Sequence, residues 1–200
     1  MSETRLIFLN AKAYSDSFML QKAAFLKEIE RRLVSELMKN SHRSDRELAK
    51  ALAVSQPTVT RVRAKLEKEG VIKEYTILPD FKKIGYSLMA ITLVKLKPSL
   101  TSEIAEKARE TARESLRKEA QEVFMLERGI GSSYDGALLS LHEDYESYLD
   151  LKRRLAQFDF LKVSETQSFL IDLNDEVHYR PLTLATLAKH LLTLGEPKSK

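Results

Sequence analysis

The chain has 200 residues, 43% hydrophobic and 31% charged, with a formal net charge of +4; that composition suits one soluble domain or two small ones, each able to bury a core, and excludes a disordered chain. The absence of cysteine excludes disulfides, thiol catalysis, thiolate zinc sites and iron–sulfur clusters. No apolar run reaches the ~18 residues of a membrane span, and the opening MSETRLIFLNAKAYSDSF has no signal-peptide order, so the expected location is the cytoplasm.

Charge is uneven along the chain. Residues 25–80 hold 12 basic and 9 acidic side chains, whereas residues 81–200 hold 18 of each. A basic segment beside a neutral one suggests a nucleic-acid module joined to something else. In chain order, Leu26, Ile29, Leu33 and Leu37 recur at helical spacing and predict a helix over about 20–39. Ser44-Asp45-Arg46-Glu47 reads as a capping box, with Ser44 and Glu47 able to satisfy each other's backbone N–H, ahead of a helix over 45–52. Ala53-Val54-Ser55 is a tight turn. Ser55 is the N-cap of a third helix, with Pro57 in its first turn, and Gly70 supplies its left-handed stop after Glu69.

The β-branched and aromatic run 71–77 predicts a strand, and Pro79-Asp80 a turn. Leu88 to Lys97 predicts a second strand with apolar residues on both faces, Ala90, Thr92 and Val94 on one and Met89, Ile91 and Leu93 on the other, so it needs cover on both. Then follow a helix over 101–120, a strand over 123–128, a glycine-rich loop over 129–136, a strand over 137–142, a helix over 143–158 and a strand over 163–173. From residue 88 the order is β-α-β-β-α-β, the split or ferredoxin-like arrangement. Pro181 opens a final candidate helix carrying Leu184, Leu187, Ala188 and Leu191.

The fold class expected is therefore α+β, an N-terminal winged helix-turn-helix followed by a ferredoxin-like βαββαβ domain. Its parts are an N-terminal extension over 1–24, the DNA-binding domain over 25–80, a hinge over 81–86, a dimerisation and effector domain over 87–173, and a C-terminal tail with a short helix over 174–200. On a helical wheel Val59, Val62 and Leu66 face the core of the DNA-binding domain, while Pro57, Thr60, Arg61, Ala64 and Lys68 point outward. Ser55, Gln56 and Thr58 sit at the end from which base contacts usually come. Arg61 can fork onto a guanine edge, Gln56 can pair with adenine, and Ala64 is small enough to approach a thymine methyl. Arg63 and Lys65 lie at the sides, where phosphates would be. The plain alternative is a three-helix bundle with a charged face; SDRELAKALAVSQPTVTRVRAKLEKEGVI agrees with a DNA reader in cap, turn, core face and polar face together.

The continuation GVIKEYTILPDFKKIGYSLMAITLVKL resembles the junction in Lrp/AsnC-type, or feast/famine, transcription regulators, and the likeness extends over about residues 25–173. The resemblance implies a regulator that binds double-stranded DNA, dimerises through back-to-back sheets, often assembles into octamers, and binds an amino-acid effector near the loop between the second and third strands. Here that loop offers Gly131, Ser132, Ser133 and Asp135, with Gly131 and Asp135 one residue further apart than the family's usual Gly-x-x-Asp. No cofactor and no metal are called for: His42, His142, His178 and His190 are scattered, and the glycine-rich loop leads into a strand rather than the helix a phosphate cradle needs. Two rival classes remain: an enzyme resembling siroheme decarboxylases, which would conscript Arg128, His142 and Arg180, and an interaction scaffold that does not touch DNA.

Overall fold

A computed structural model describes residues 26–97, 102–129, 133–159, 161–162, 165–177 and 180–194. They form two compact units: one built from the chain up to Leu78 together with the segment from Tyr179 onward, the other from Pro79 to His178. The N-terminal extension lies outside the described residues.

The first unit holds α1 (Glu28–Lys39), α2 (Asp45–Leu52), α3 (Gln56–Lys68) and, from the far end of the chain, a last helix Leu184–Thr193. The capping box forms as expected: the Ser44 N–H donates to Glu47 Oε2 at 2.8 Å and the Glu47 N–H to Ser44 Oγ at 3.3 Å. α2 ends on Ala53 in the left-handed region, with φ 56°. That sharp reversal lets Ser55 begin α3 at once, its Oγ accepting from the Thr58 N–H at 3.4 Å. Gly70, at φ +69°, stops the helix as its lack of a Cβ allows. Leu33, Leu48, Leu52, Val59, Val62 and Leu66 are buried together and lock the three helices.

The second unit runs β1 (Leu88–Val94), α4 (Ser102–Glu119), β2 (Val123–Arg128), β3 (Gly136–His142), α5 (Tyr145–Leu155) and β4 (Gln167–Asp172); the last helix, Leu184–Thr193, is then α6. The sheet has the order β2-β3-β1-β4, and each neighbouring pair is antiparallel. This is the ferredoxin-like arrangement expected. Ala90, Thr92 and Val94 are buried on one face of β1, where Val94 meets Leu138, Leu151, Leu155 and Leu161 in a core beneath α5. On the other face the register aligns Leu139, Ile91 and Phe169 in one row and Leu141, Met89 and Ile171 in the next. Phe169 is 68% exposed there.

Several expected boundaries shift, each for a local reason. Residues 71–77 do not form a strand: that run has no second strand beside it among the described residues, and side chains anchor it instead, with the Tyr75 hydroxyl donating to Glu67 at 2.6 Å and Ser41 Oγ donating to the Thr76 carbonyl at 3.2 Å. β1 ends at Val94 because the Leu96 N–H is taken by the Asp135 carboxylate at 2.8 Å. α5 starts at Tyr145 because Asp144 caps it, accepting from the Ser147 N–H at 2.8 Å. The strand expected over 163–173 is Gln167–Asp172; residues 163 and 164 lie outside the described residues. α6 begins not at Pro181 but at Leu184, where Thr183 Oγ1 accepts from the Ala185 N–H at 3.1 Å. α6 also packs on α1: Ala188 is fully buried, and Ser35 Oγ donates to its carbonyl at 2.9 Å. Among the described residues no helix is long and apolar enough to cross a membrane.

Candidate nucleic-acid interface

α3 owes its polarity to spacing. With Val59, Val62 and Leu66 turned into the core, geometry leaves Pro57, Thr60, Arg61, Ala64 and Lys68 on the opposite side, and all five are exposed. Gln56 is exposed at the N-terminal end; Thr58 is half-buried, its Oγ1 2.8 Å from Ser55 Oγ. Thr60 Oγ1 donates to the Asp45 carboxylate at 2.6 Å, which ties the middle of α3 to the start of α2. Arg61 and Lys68 have no partner among the described residues, so both cations remain available.

The two cations expected at the flanks are placed differently. Arg63 is only 21% exposed: it pairs with Asp45 at 2.8 Å, donates to the Arg43 carbonyl at 3.3 Å and lies 5.6 Å from the Tyr75 ring centroid. Its Nε is buried without a partner. Lys65 pairs at 2.6 Å with Glu30, a nearly buried carboxylate that also accepts the Lys27 N–H at 2.8 Å. The Lys65 ammonium and the Lys27 N–H hold the Glu30 carboxyl below its ordinary range, and the same pair raises Lys65. Both long side chains therefore brace the helix. Sequence reasoning missed Arg46 and Lys50, one turn apart on α2, and Lys73 beyond the Gly70 stop; all are exposed and unpaired among the described residues. Their signal was the i, i+4 spacing opposite the buried Leu48, Ala49 and Leu52.

In the second unit, Gly131 and Ser132 of the expected effector loop lie outside the described residues. Ser133 adopts φ 63°. Asp135 is committed to the end of β1 and the residues after it: its carboxylate accepts the Leu96 N–H, and its N–H donates to the Val94 carbonyl at 2.9 Å. Of the residues considered for an enzyme, His142 is 2% exposed, with Nε2 2.8 Å from Ser140 Oγ and its ring edge-on to Tyr148. Burial pushes its pKa down. Arg180 belongs to the other unit. No cluster of three or more potential metal ligands occurs among the described residues.

A capped helix-turn-helix with an outward polar third helix, joined in one chain to a ferredoxin-like domain, is the arrangement that the resemblance to Lrp/AsnC-type regulators implies. A family model described as winged helix-turn-helix DNA-binding matches residues 26–73. The HTH-type transcriptional regulator LrpA of Pyrococcus horikoshii is 40% identical over 74 residues, 37% of this chain and 52% of that protein. An uncharacterized HTH-type transcriptional regulator of Pyrococcus abyssi is 36% identical over 106 residues, 53% of this chain and 66% of its own length. The chain thus spans about half the length of the first of these relatives. Among solved structures, PH0061 superposes with a TM-score of 0.62 at 26% identity, covering 78% of this chain and 98% of that one. The regulator NMB0573 of Neisseria meningitidis, solved as an L-Met complex, gives a TM-score of 0.63 at 22% identity, covering 81% and 99%. The resemblance to Lrp/AsnC-type regulators stands on sequence in the first unit and on fold over most of the chain. These similarities give the enzyme alternative no support.

Proposed function

We propose that the chain is a sequence-specific DNA-binding transcription regulator of Lrp/AsnC type, acting as a homodimer or as an octamer built from dimers. The observation that carries this reading is the outer face of α3, where Gln56, Thr60, Arg61, Ala64 and Lys68 stand exposed on a helix whose other side is sealed into the core. A B-DNA major groove, ~12 Å wide, admits such a helix. Arg61 forks onto a guanine edge, Gln56 pairs with adenine, and Ala64 lets the backbone come close to a thymine methyl. Ser55, Pro57 and Thr58 set the N-terminal end against the duplex. Lys68, Arg46, Lys50 and Lys73 meet phosphates, while Arg63 and Lys65 act from behind by fixing the angle of α3.

The second copy is supported by the open face of the sheet. There the row Leu139–Ile91–Phe169 ends on Phe169, 68% exposed, beside the row Leu141–Met89–Ile171, and exposed apolar surface of this kind favours cover by a partner. A second sheet laid back to back would cover it. An amino-acid effector held at the 129–136 loop is the finer part of the proposal, supported by the L-Met complex of the Neisseria protein. The test is selection of genomic DNA fragments on the purified chain, followed by gel shifts across salt. Enrichment of a shared site, bound with an affinity that falls steeply with salt, is the expected result. Recovery of no preferred sequence contradicts the proposal.

A further inference from the structure

We propose that the helix face of the sheet in the second unit holds a binding site for an anionic amphiphile, a small molecule with a carboxylate head and an apolar body. This site adjoins the 129–136 loop, whose Asp135 and Gly136 line it, but its arginines and apolar floor lie outside that loop, and it is independent of the DNA-binding reading. A cavity of about 450 Å³ lies on that face, bounded by α4, β2 and the end of α5. Small-molecule sites usually measure ~300–1,000 Å³. Its floor is apolar: Val94 and Leu138 come from the sheet, Leu155 from α5, and Phe158 and Leu161 from the segment after it. Room exists at the end of the sheet because Gly136 stands between Val94 and Arg128; a Cβ there would meet Val94 Cγ2 at 3.2 Å.

Three arginines line the same cavity. Arg113 and Arg117 are one turn apart on α4, and Arg128 ends β2 opposite Gly136. None has an ion-pair or hydrogen-bond partner among the described residues. The two acids that also line the cavity do not cancel them. The Asp135 carboxylate is taken by the Leu96 N–H at 2.8 Å, and Glu127 pairs across the sheet with Ala137, so its side chain belongs to the opposite face. The polar lining is thus cationic, with arginines suited to grip a carboxylate through paired N–H bonds. The apolar floor gives a hydrocarbon body somewhere to leave water. An amino acid is a poor fit, since its ammonium would find arginines and an engaged carboxylate. A nucleic-acid backbone has nothing to place on the floor.

The probe is decanoate, titrated into the full chain by calorimetry below its micellar concentration. The expected result is saturable binding at one site per chain, no binding of acetate, and at least ten-fold weaker binding of decyltrimethylammonium, which has the same body and the wrong charge. The double variant Arg113→Ala/Arg117→Ala removes only exposed side chains; it should keep its circular dichroism and bind decanoate at least ten-fold less tightly. Arg113→Lys/Arg117→Lys should restore part of the loss. Absent decanoate binding, equal binding of the cationic analogue, unchanged affinity in the double variant, or displacement of decanoate by L-Met each overturns the proposal. Gel shifts on the same preparation separate the two readings: a chain that binds DNA and ignores decanoate loses this site and keeps its regulator assignment.

Discussion

Lys65 and Lys68 are three residues apart on one helix, yet they have different work. Lys65 reaches the nearly buried Glu30 at 2.6 Å, whereas Lys68 reaches nothing among the described residues. Lys65→Ala should therefore lower the stability of the first unit while leaving the salt dependence of DNA binding unchanged; Lys68→Ala should do the reverse, cutting the salt slope by about one. Glu30 carries the matching acid sensitivity. Its folded pKa lies below the ordinary 4.5, so the stability it contributes is complete above that value and is lost as pH falls through the lowered one. Glu30→Gln should cost about 1–2 kcal/mol in urea unfolding at neutral pH, discounted for the half-exposed Lys65, and the gap to wild type should close as pH drops below the ordinary value. The outward set Arg61, Ala64 and Lys68 was legible in the sequence because helical spacing alone sorts inside from outside. The engagement of Arg63 and Lys65 was not, because their partners, Asp45 and Glu30, are far away in sequence and only the tertiary packing brings them close.

Whole elements were legible wherever a local cap and a local periodicity agreed. Ser44, Ser55 and Gly70 mark the helix ends of the first unit where expected. The run 71–77 shows the reverse case: β-branched composition favours an extended chain, but a strand needs a neighbour to pair with, and Tyr75 and Thr76 are held by side chains instead. α6 shows a third case. Its apolar stripe announces a packing helix, but nothing local says what it packs on. In the folded chain it lies on α1, with Ala188 fully buried and Ser35 donating to its carbonyl. The small side chain at 188 permits that close approach. Ala188→Leu should overpack the seam and destabilise the first unit by about 1–3 kcal/mol, read as a lowered urea midpoint. An unchanged midpoint would mean that α6 contributes nothing to that unit's stability.

At the scale of the molecule, both faces of β1 were legible as apolar, and the sheet order accounts for one of them: Ala90, Thr92 and Val94 lie beneath α5's core. The other face carries the proposal of a second copy. Ile91→Glu would set a carboxylate between Leu139 and Phe169, and the variant should sediment as a monomer at micromolar concentration where the wild type sediments as a dimer or larger. A wild type that is itself monomeric contradicts the dimer. Whether the outer face of α3 reads DNA is measured directly by the affinity of wild type and Arg61→Ala for a selected operator and for every single-base variant of it. Arg61→Ala should lose about 1–3 kcal/mol on the operator and become indifferent to one base pair while keeping its preferences elsewhere. Identical affinity and an identical base-preference profile in the two proteins would show that this face does not enter the groove.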